Sequence, residues 1–319
     1  MTLFKVSTRD FGWDELVAAA QVWSEWQPFF ESVREALACL GVATHAGQLP
    51  SSEKMREVAT AFRYAHNLIS AEETQVWLER CEMTVEDWMS CLRGQLLREN
   101  WTAHVNEIMA ANQVSDAEVT AVIKRYAVCA GKVGDWAQRL AGRAAIATSS
   151  CGDSSTSLTP PDLITCIEAE FELKRKQAIT PKAIETRIDD NRLDWIHYEC
   201  RYLWLAEERV AREAAWCVSE DGLSLEEVAS DARAEVQQWN FYADEIEASV
   251  RPYFLGSRQG DLLGPLKFRE GYPLFSVMGK RMPSAMDPQI LSRAEDAIVK
   301  SLLAQAVNAE VKWVGCQSI

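Results

Sequence analysis

No stretch of this sequence is apolar for the roughly 20 residues that a membrane helix needs. The opening Met1-Thr-Leu-Phe-Lys-Val6 lacks the apolar centre of an export signal, and Arg9-Asp10 follow at once. Together these absences predict a cytoplasmic chain with no membrane partner. Basic side chains are also in deficit, 33 against 47 acidic ones, for a net charge of −14. A general nucleic-acid binder gains affinity by neutralising phosphates, so that class is excluded. An acidic surface suits a basic or neutral peptide partner, and it equally suits plain solvation.

Other chemistry is missing as well. There is no nucleophile elbow, P-loop, glycine-rich dinucleotide loop or zincin motif. The nine cysteines (Cys39, Cys81, Cys91, Cys129, Cys151, Cys166, Cys200, Cys217 and Cys316) are odd in number and follow no framework spacing. They read as reduced thiols rather than as disulfides. His45, His66 and His104 have no visible partner, and His197-x-x-Cys200 has metal-like spacing without the second pair a site requires. Ser51-Ser-Glu-Lys54 matches the bare S-x-x-K pattern of penicillin-binding enzymes, but its companion motifs are absent and it opens a helix. We therefore expect no metal, no cofactor and no catalytic residue.

What is present is organised in blocks, and 319 residues suffice for two or three compact units. Residues 11–147 read as almost wholly helical. Amphipathic spacing runs over 13–40, a serine caps 52–66, and capping boxes start at Ser70-Ala-Glu-Glu73 and Ser115-Asp-Ala-Glu118. Thr84 caps another helix, and an Ala-rich one spans 136–147. Trp77, Leu78, Trp88, Leu92, Leu96, Leu97 and Trp101 fall at helical spacing and read as core. Residues 148–161, rich in Ser, Thr, Gly and Pro, read as a linker. Helices over 161–177 and from Thr180-Pro181 to about Trp195 connect it to a further block. A last helix over 289–308 leads into a strand-like Val311-Lys-Trp-Val314.

That further block, 197–282, runs in a distinctive order. Cys200-Arg-Tyr-Leu-Trp-Leu205 is a strand, 207–219 is helical, and Ser224-Leu-Glu-Glu227 is a capping box opening a second helix. Then come an aromatic strand over 239–242, a helix over 244–254, Gly260-Asp-Leu-Leu-Gly-Pro265, and, from Gly271-Tyr-Pro-Leu-Phe-Ser-Val277, a last strand over 272–278. This order resembles a parvulin-type peptidyl-prolyl isomerase domain. Upstream, Phe62-Arg-Tyr-Ala-His-Asn-Leu68, Ser70-Ala-Glu-Glu-Thr-Gln-Val-Trp-Leu78 and Met83-Thr-Val-Glu-Asp-Trp88 look like the helical N-terminal domain of SurA-type chaperones. The resemblance implies an α+β protein: a SurA-like domain over 1–147, a degenerate parvulin-like domain over 197–282, and a C-terminal segment over 283–319 that returns to the first domain.

It also implies a site. Parvulins hold the substrate proline in an apolar pocket beside two histidines. Here the matching positions are Tyr202 and Pro273, neither of which can act as an imidazole. The uncatalysed barrier of about 18–20 kcal/mol then stays largely in place. The expected remainder is a peptide-binding pseudo-isomerase, with Tyr202, Trp204, Trp239, Phe241, Tyr253, Phe254, Tyr272, Pro273 and Phe275 as groove residues. Core packing is the other reading of each aromatic. A bound extended peptide is expected to use an exposed sheet edge too. Proteins of this build also resemble accessory proteins in the maturation of ribosomally made peptides, which implies a precursor peptide and a maturation enzyme as partners. An active isomerase and a general holdase chaperone are the alternatives.

Overall fold

A computed structural model describes residues 2–147, 158–268 and 270–314. The fold is α+β, and it divides into two compact units: residues 1–175 with 301–319, and residues 176–300. Most of the expected linker, 148–157, lies outside the described residues. Its last two positions, Pro160 and Pro161, already belong to a helix, since proline fits the first turn, where no amide is needed. No helix among the described residues is long and apolar enough to cross a membrane.

The first unit opens with a hairpin that the sequence pattern did not reveal, β1 (Thr2–Val6) and β2 (Arg9–Gly12). The amphipathic stretch over 13–40 forms two helices, α1 (Trp13–Val22) and α2 (Trp26–Ala46), parted where Ser24 turns left-handed at φ 60°. Next come α3 (Ser52–Ala65), α4 (Ala71–Arg80), α5 (Val85–Asn100), α6 (Val105–Ala111), α7 (Asp116–Cys129), α8 (Lys132–Ala147) and α9 (Pro160–Ala178).

The capping boxes are formed as their residue types require. Ser70 Oγ accepts from the Glu73 amide at 3.0 Å while the Ser70 amide donates to Glu73 at 2.8 Å, and Thr84 with Asp87 and Ser115 with Glu118 do the same. Ser51 Oγ accepts from the Lys54 amide, so the S-x-x-K match is a helix cap. Trp77, Trp88, Leu78, Leu92 and Leu97 are buried in the helical core.

The end of the chain belongs to this unit. β7 (Val311–Trp313) pairs antiparallel with β1 and gives a sheet of order β2-β1-β7. A Cβ on Gly142 of α8 would stand 2.8 Å from Leu303, so glycine is what allows this approach.

The thiols depart from expectation at one place. Cys39, Cys91, Cys129, Cys200 and Cys217 are free, whereas Cys81 is disulfide-bonded.

The second unit begins with α10 (Pro181–Asp190), capped by Thr180. Its sheet contains β3 (His197–Leu203), β4 (Val236–Tyr242), β5 (Leu262–Leu263) and β6 (Leu274–Arg281) in the order β4-β3-β6-β5, every neighbouring pair antiparallel. Two helices, α11 (Glu208–Ser219) and α12 (Leu225–Asp231), follow β3, and α13 (Arg251–Gly256) follows β4.

Boundaries shift where proline rules. The helix expected over 244–254 is a 3-10 turn at Ala243–Glu245 and then α13, because Pro252 suits a helix start and not a helix interior. The last strand starts at Leu274, after Pro273, which has no amide for the ladder. α14 (Pro288–Glu310) begins in this unit and ends in the first.

Candidate functional site: an aromatic shelf on the second sheet

Strand alternation sorts β3 into two faces. Tyr198, Cys200 and Tyr202 join a cluster of large rings with Phe241, Phe254 and Phe275, against which Trp239, Phe268 and Leu263 pack half-buried. Leu203 and Leu205 join an aliphatic cluster with Ala211, Ala214, Leu225, Val228 and Leu274, under α11 and α12. Arg201 on that side pairs with Glu226 and ties β3 to α12.

The ring cluster is continuous. Phe254 meets Tyr198, Phe241 and Phe275 edge-on at centroid distances of 5.6, 5.2 and 5.2 Å. Trp239 lies 4.4 Å from Phe241 and 6.3 Å from Tyr202, and Phe268 joins Phe275 to Trp204. Such edge-to-face contacts add stability beyond area burial.

α13 lies over this face and is held at its C-terminal end. Lys280 Nζ donates to the Leu255 and Ser257 carbonyls at 2.8 Å each, and Tyr198 Oη donates to the Phe254 carbonyl at 2.7 Å. A cation on the last carbonyls satisfies acceptors the short helix cannot. Burial lowers the Lys280 pKa, with Asp261 acting the other way.

The expected groove residues divide accordingly. Tyr202, Trp204 and Trp239 are partly accessible and come together with Phe268 as a shelf; Trp204 is 38% exposed. Phe241, Phe254 and Phe275 are at most 2% exposed, so they are the floor beneath the shelf and offer a ligand no surface. Their rings fill the space between sheet and α13, which is why they cannot also line a groove. Tyr272 packs with the aliphatic cluster, away from the shelf. Tyr253 is 57% exposed on α13 and takes no part in the ring cluster. Pro273 is buried, its carbonyl accepting from the Leu266 amide at 3.1 Å.

Phe268 and Leu263 were not foreseen, because the loop around Gly264-Pro265 carries no periodicity that would mark them. One glycine there is a usable signal after the fact. A Cβ on Gly271 would stand 2.6 Å from Trp204 Nε1 and 2.7 Å from the Leu205 carbonyl, so the indole keeps its place only beside glycine.

The chemistry available on this face is sparse. Tyr202 Oη is engaged with Gln237 Oε1. Burial pushes the Cys200 thiol up to about 12, which leaves it protonated at neutral pH. His197, the one histidine in residues 176–300, sits on the opposite side of β3, 5.1 Å from the Tyr242 ring and beside Arg281. Its pKa is lowered by burial and then by the Arg281 charge. Among the described residues no group of acidic, histidine and cysteine side chains could hold a metal.

No family model matches the chain, and no curated protein does. Solved structures do. PrsA from Bacillus subtilis is 14% identical over 68% of this chain and 88% of its own, with a TM-score of 0.25. The peptidylprolyl isomerase PrsA from Bacillus anthracis is 16% identical over 67% and 96%, at 0.27. A SurA-like chaperone of Campylobacter jejuni is 8% identical over 98% and 99%, at 0.19. At these TM-scores the likeness carries no argument, and the site is read from the chain's own geometry.

Proposed function

We propose that the second unit binds an extended peptide on the shelf of Tyr202, Trp204, Trp239 and Phe268 and does not catalyse prolyl isomerisation. The observation that carries this reading is the make-up of the shelf face. It offers rigid rings, two tyrosine hydroxyls and a neutral buried thiol, while the unit's histidine faces the other way. Rings of this kind bury much area at little entropic cost, which suits peptide recognition. The thiol is held protonated and His197 lies across β3, so neither is placed to exchange a proton with a twisting amide on the shelf.

Tyr202 and Pro273, at the positions where parvulins carry histidine, support the same reading. The wider role we propose is presentation of a cytosolic, ribosomally made precursor peptide to a maturation enzyme. That step rests on the resemblance of the two sequence blocks to isomerase-like accessory proteins. The Cys81 disulfide is the observation that stands against a reducing compartment.

The test is the cis/trans exchange rate of an Ala-Pro peptide, measured by NMR exchange with and without stoichiometric protein. Binding without acceleration is expected. A rate enhancement comparable with an intact parvulin overturns the pseudo-isomerase reading in favour of an active enzyme. Equal affinity for unrelated unfolded peptides makes it a general holdase.

A further inference from the structure

The second sheet has one long open edge. β5 closes its side with two residues, but β4 has seven, paired with β3 alone and in unbroken register. The Ala243 amide donates to the Ile196 carbonyl at 3.0 Å, which fixes which way each residue of β4 points. Gln237, Trp239 and Phe241 turn their backbone groups to β3; Val236, Gln238, Asn240 and Tyr242 turn theirs outward. The Tyr242 amide is taken by Glu245 at 2.9 Å, which ends the open row. The amides and carbonyls of Gln238 and Asn240 have no partner among the described residues.

Natural edge strands are commonly blunted by charge, proline or a bulge. Val236-Gln-Gln-Trp-Asn-Phe-Tyr242 has none of these, and Gln238 and Asn240 are exposed. An edge left open in this way is a template for a further strand.

We propose that β4 takes up an extended, neutral-to-basic peptide segment as a fifth strand, hydrogen-bonded to Gln238 and Asn240. This rests on the peptide-binding reading above and assigns the backbone half of it. Alternate side chains of the added strand come to lie beside Gln237 and Trp239 on the ring face, where the indole favours apolar residues. The residues between lie beside Gln238 and Asn240, which favours polar ones.

Charge selects the occupant. Exposed Glu235 precedes the strand and exposed Glu247 follows it, Asp244 and Glu245 being paired with Arg293, and the whole chain carries −14. A second copy docking antiparallel brings together two chains that each carry −14 and sets Glu235 of one towards Glu247 of the other, which like-charge repulsion opposes. A peptide with lysines at its ends meets the same groups favourably.

The probe is a fluorescein-labelled peptide as long as β4, alternating Val and Thr with Lys at both ends, titrated into the full chain by anisotropy. Backbone N-methylation is placed on one alternate set of its amides or on the other. One set should lose binding at least about tenfold and the other little, since only one row of amides faces the edge. Gln238→Pro removes an outward amide and no ladder bond, so it should weaken binding similarly with a near-normal Tm; the N-methyl comparison needs no variant at all. Glu-flanked peptide should bind more weakly than Lys-flanked peptide.

Equal binding by both methylated sets, with loss on Trp239→Ala, overturns the edge proposal and leaves the shelf reading standing. No binding of any probe overturns both. A dimer in solution that Gln238→Pro dissolves overturns the proposal in favour of a second copy.

Discussion

The two faces of the second sheet bury their residues in different ways. Under α11 and α12 the core is aliphatic, with Leu203, Leu205, Leu225, Val228 and Leu274 closed over by alanine-bearing helix faces. The other face is built of rings and has only the six-residue α13 as a lid, so the rings continue past its rim as Tyr202, Trp239 and Phe268. Aliphatic side chains of modest size let helices approach and finish a core. Large flat rings carry the apolar surface beyond what a short helix covers, and that surplus is what a partner can use.

The largest expected effects come from the closed parts of both faces. Leu203→Ala should cost about 2–5 kcal/mol and Phe254→Ala about 3–5 kcal/mol, read as loss of denaturant midpoint, because each leaves a cavity under residues that are 0% exposed. If Phe254→Ala keeps its stability and loses only peptide affinity, the lid side of the ring face is site rather than floor, and the contrast between the faces fails.

The shelf comes next. Trp239→Ala and Trp204→Ala should each reduce peptide affinity by about thirtyfold, the equivalent of about 2 kcal/mol for an anchoring aromatic. Trp204 is 38% exposed, and its loss should leave the melting temperature nearly unchanged. Trp216, 74% exposed on α11 behind the aliphatic face, is the matched control, and Trp216→Ala should change neither quantity. Binding lost on the control and kept on the shelf places the partner on the wrong side of the sheet for our reading.

The sequence made some of this legible and concealed the rest for physical reasons. Caps are local chemistry: a hydroxyl and a carboxylate three residues apart find the same amides in any fold, so Ser70, Ser115 and Ser224 marked their helices directly. Period-two spacing put Trp239 and Phe241 on one face of their strand, and Tyr202 and Trp204 on one face of theirs; only the structure brings Trp239 to Tyr202. Spacing could not tell that Phe241 is floor and Trp239 is rim. That depends on how far α13 reaches, which is set by Pro252 and by Lys280, a residue far along the chain. The β1–β2 hairpin escaped notice because its stability comes from β7, near the other end of the chain. The open row on β4 needed one hydrogen bond, Ala243 to Ile196, that no spacing rule supplies.

Thiol chemistry sharpens the same contrast with a smaller effect. Cys200 on the ring face is buried with its pKa pushed up to about 12, whereas Cys217 on α11 is only half-buried. A thiol reagent at neutral pH should label Cys217 in the folded protein and reach Cys200 only on unfolding. Counting in denaturant without reductant should find fewer than the nine cysteines present, because Cys81 is disulfide-bonded. Nine reactive thiols return the chain to a fully reduced state and remove the observation against a cytosolic location.

The smallest effect is the most discriminating, because it separates stability from binding by pH alone. His197 sits on the side of β3 away from the shelf, with Tyr242, Arg281 and Glu199 around it. Burial and the Arg281 charge lower its pKa, outweighing the opposite pull of Glu199, Asp287 and Glu245. A folded-state pKa below the ordinary histidine value of about 6.5 means that the unfolded chain takes up the proton first as pH falls. The stability tied to His197 is therefore fully present above about 6.5 and is lost as pH drops through the folded pKa. His66 in the first unit, lowered by burial, works in the same direction. The melting temperature should thus fall modestly between about pH 7.5 and 5.5, and His197→Gln should remove part of that slope. Peptide affinity over the same range should stay flat, because His197 lies on the side of β3 away from the shelf. A Kd that tracks a histidine titration, and flattens in His197→Gln, would bring an imidazole to the bound peptide and reopen the case for catalysis.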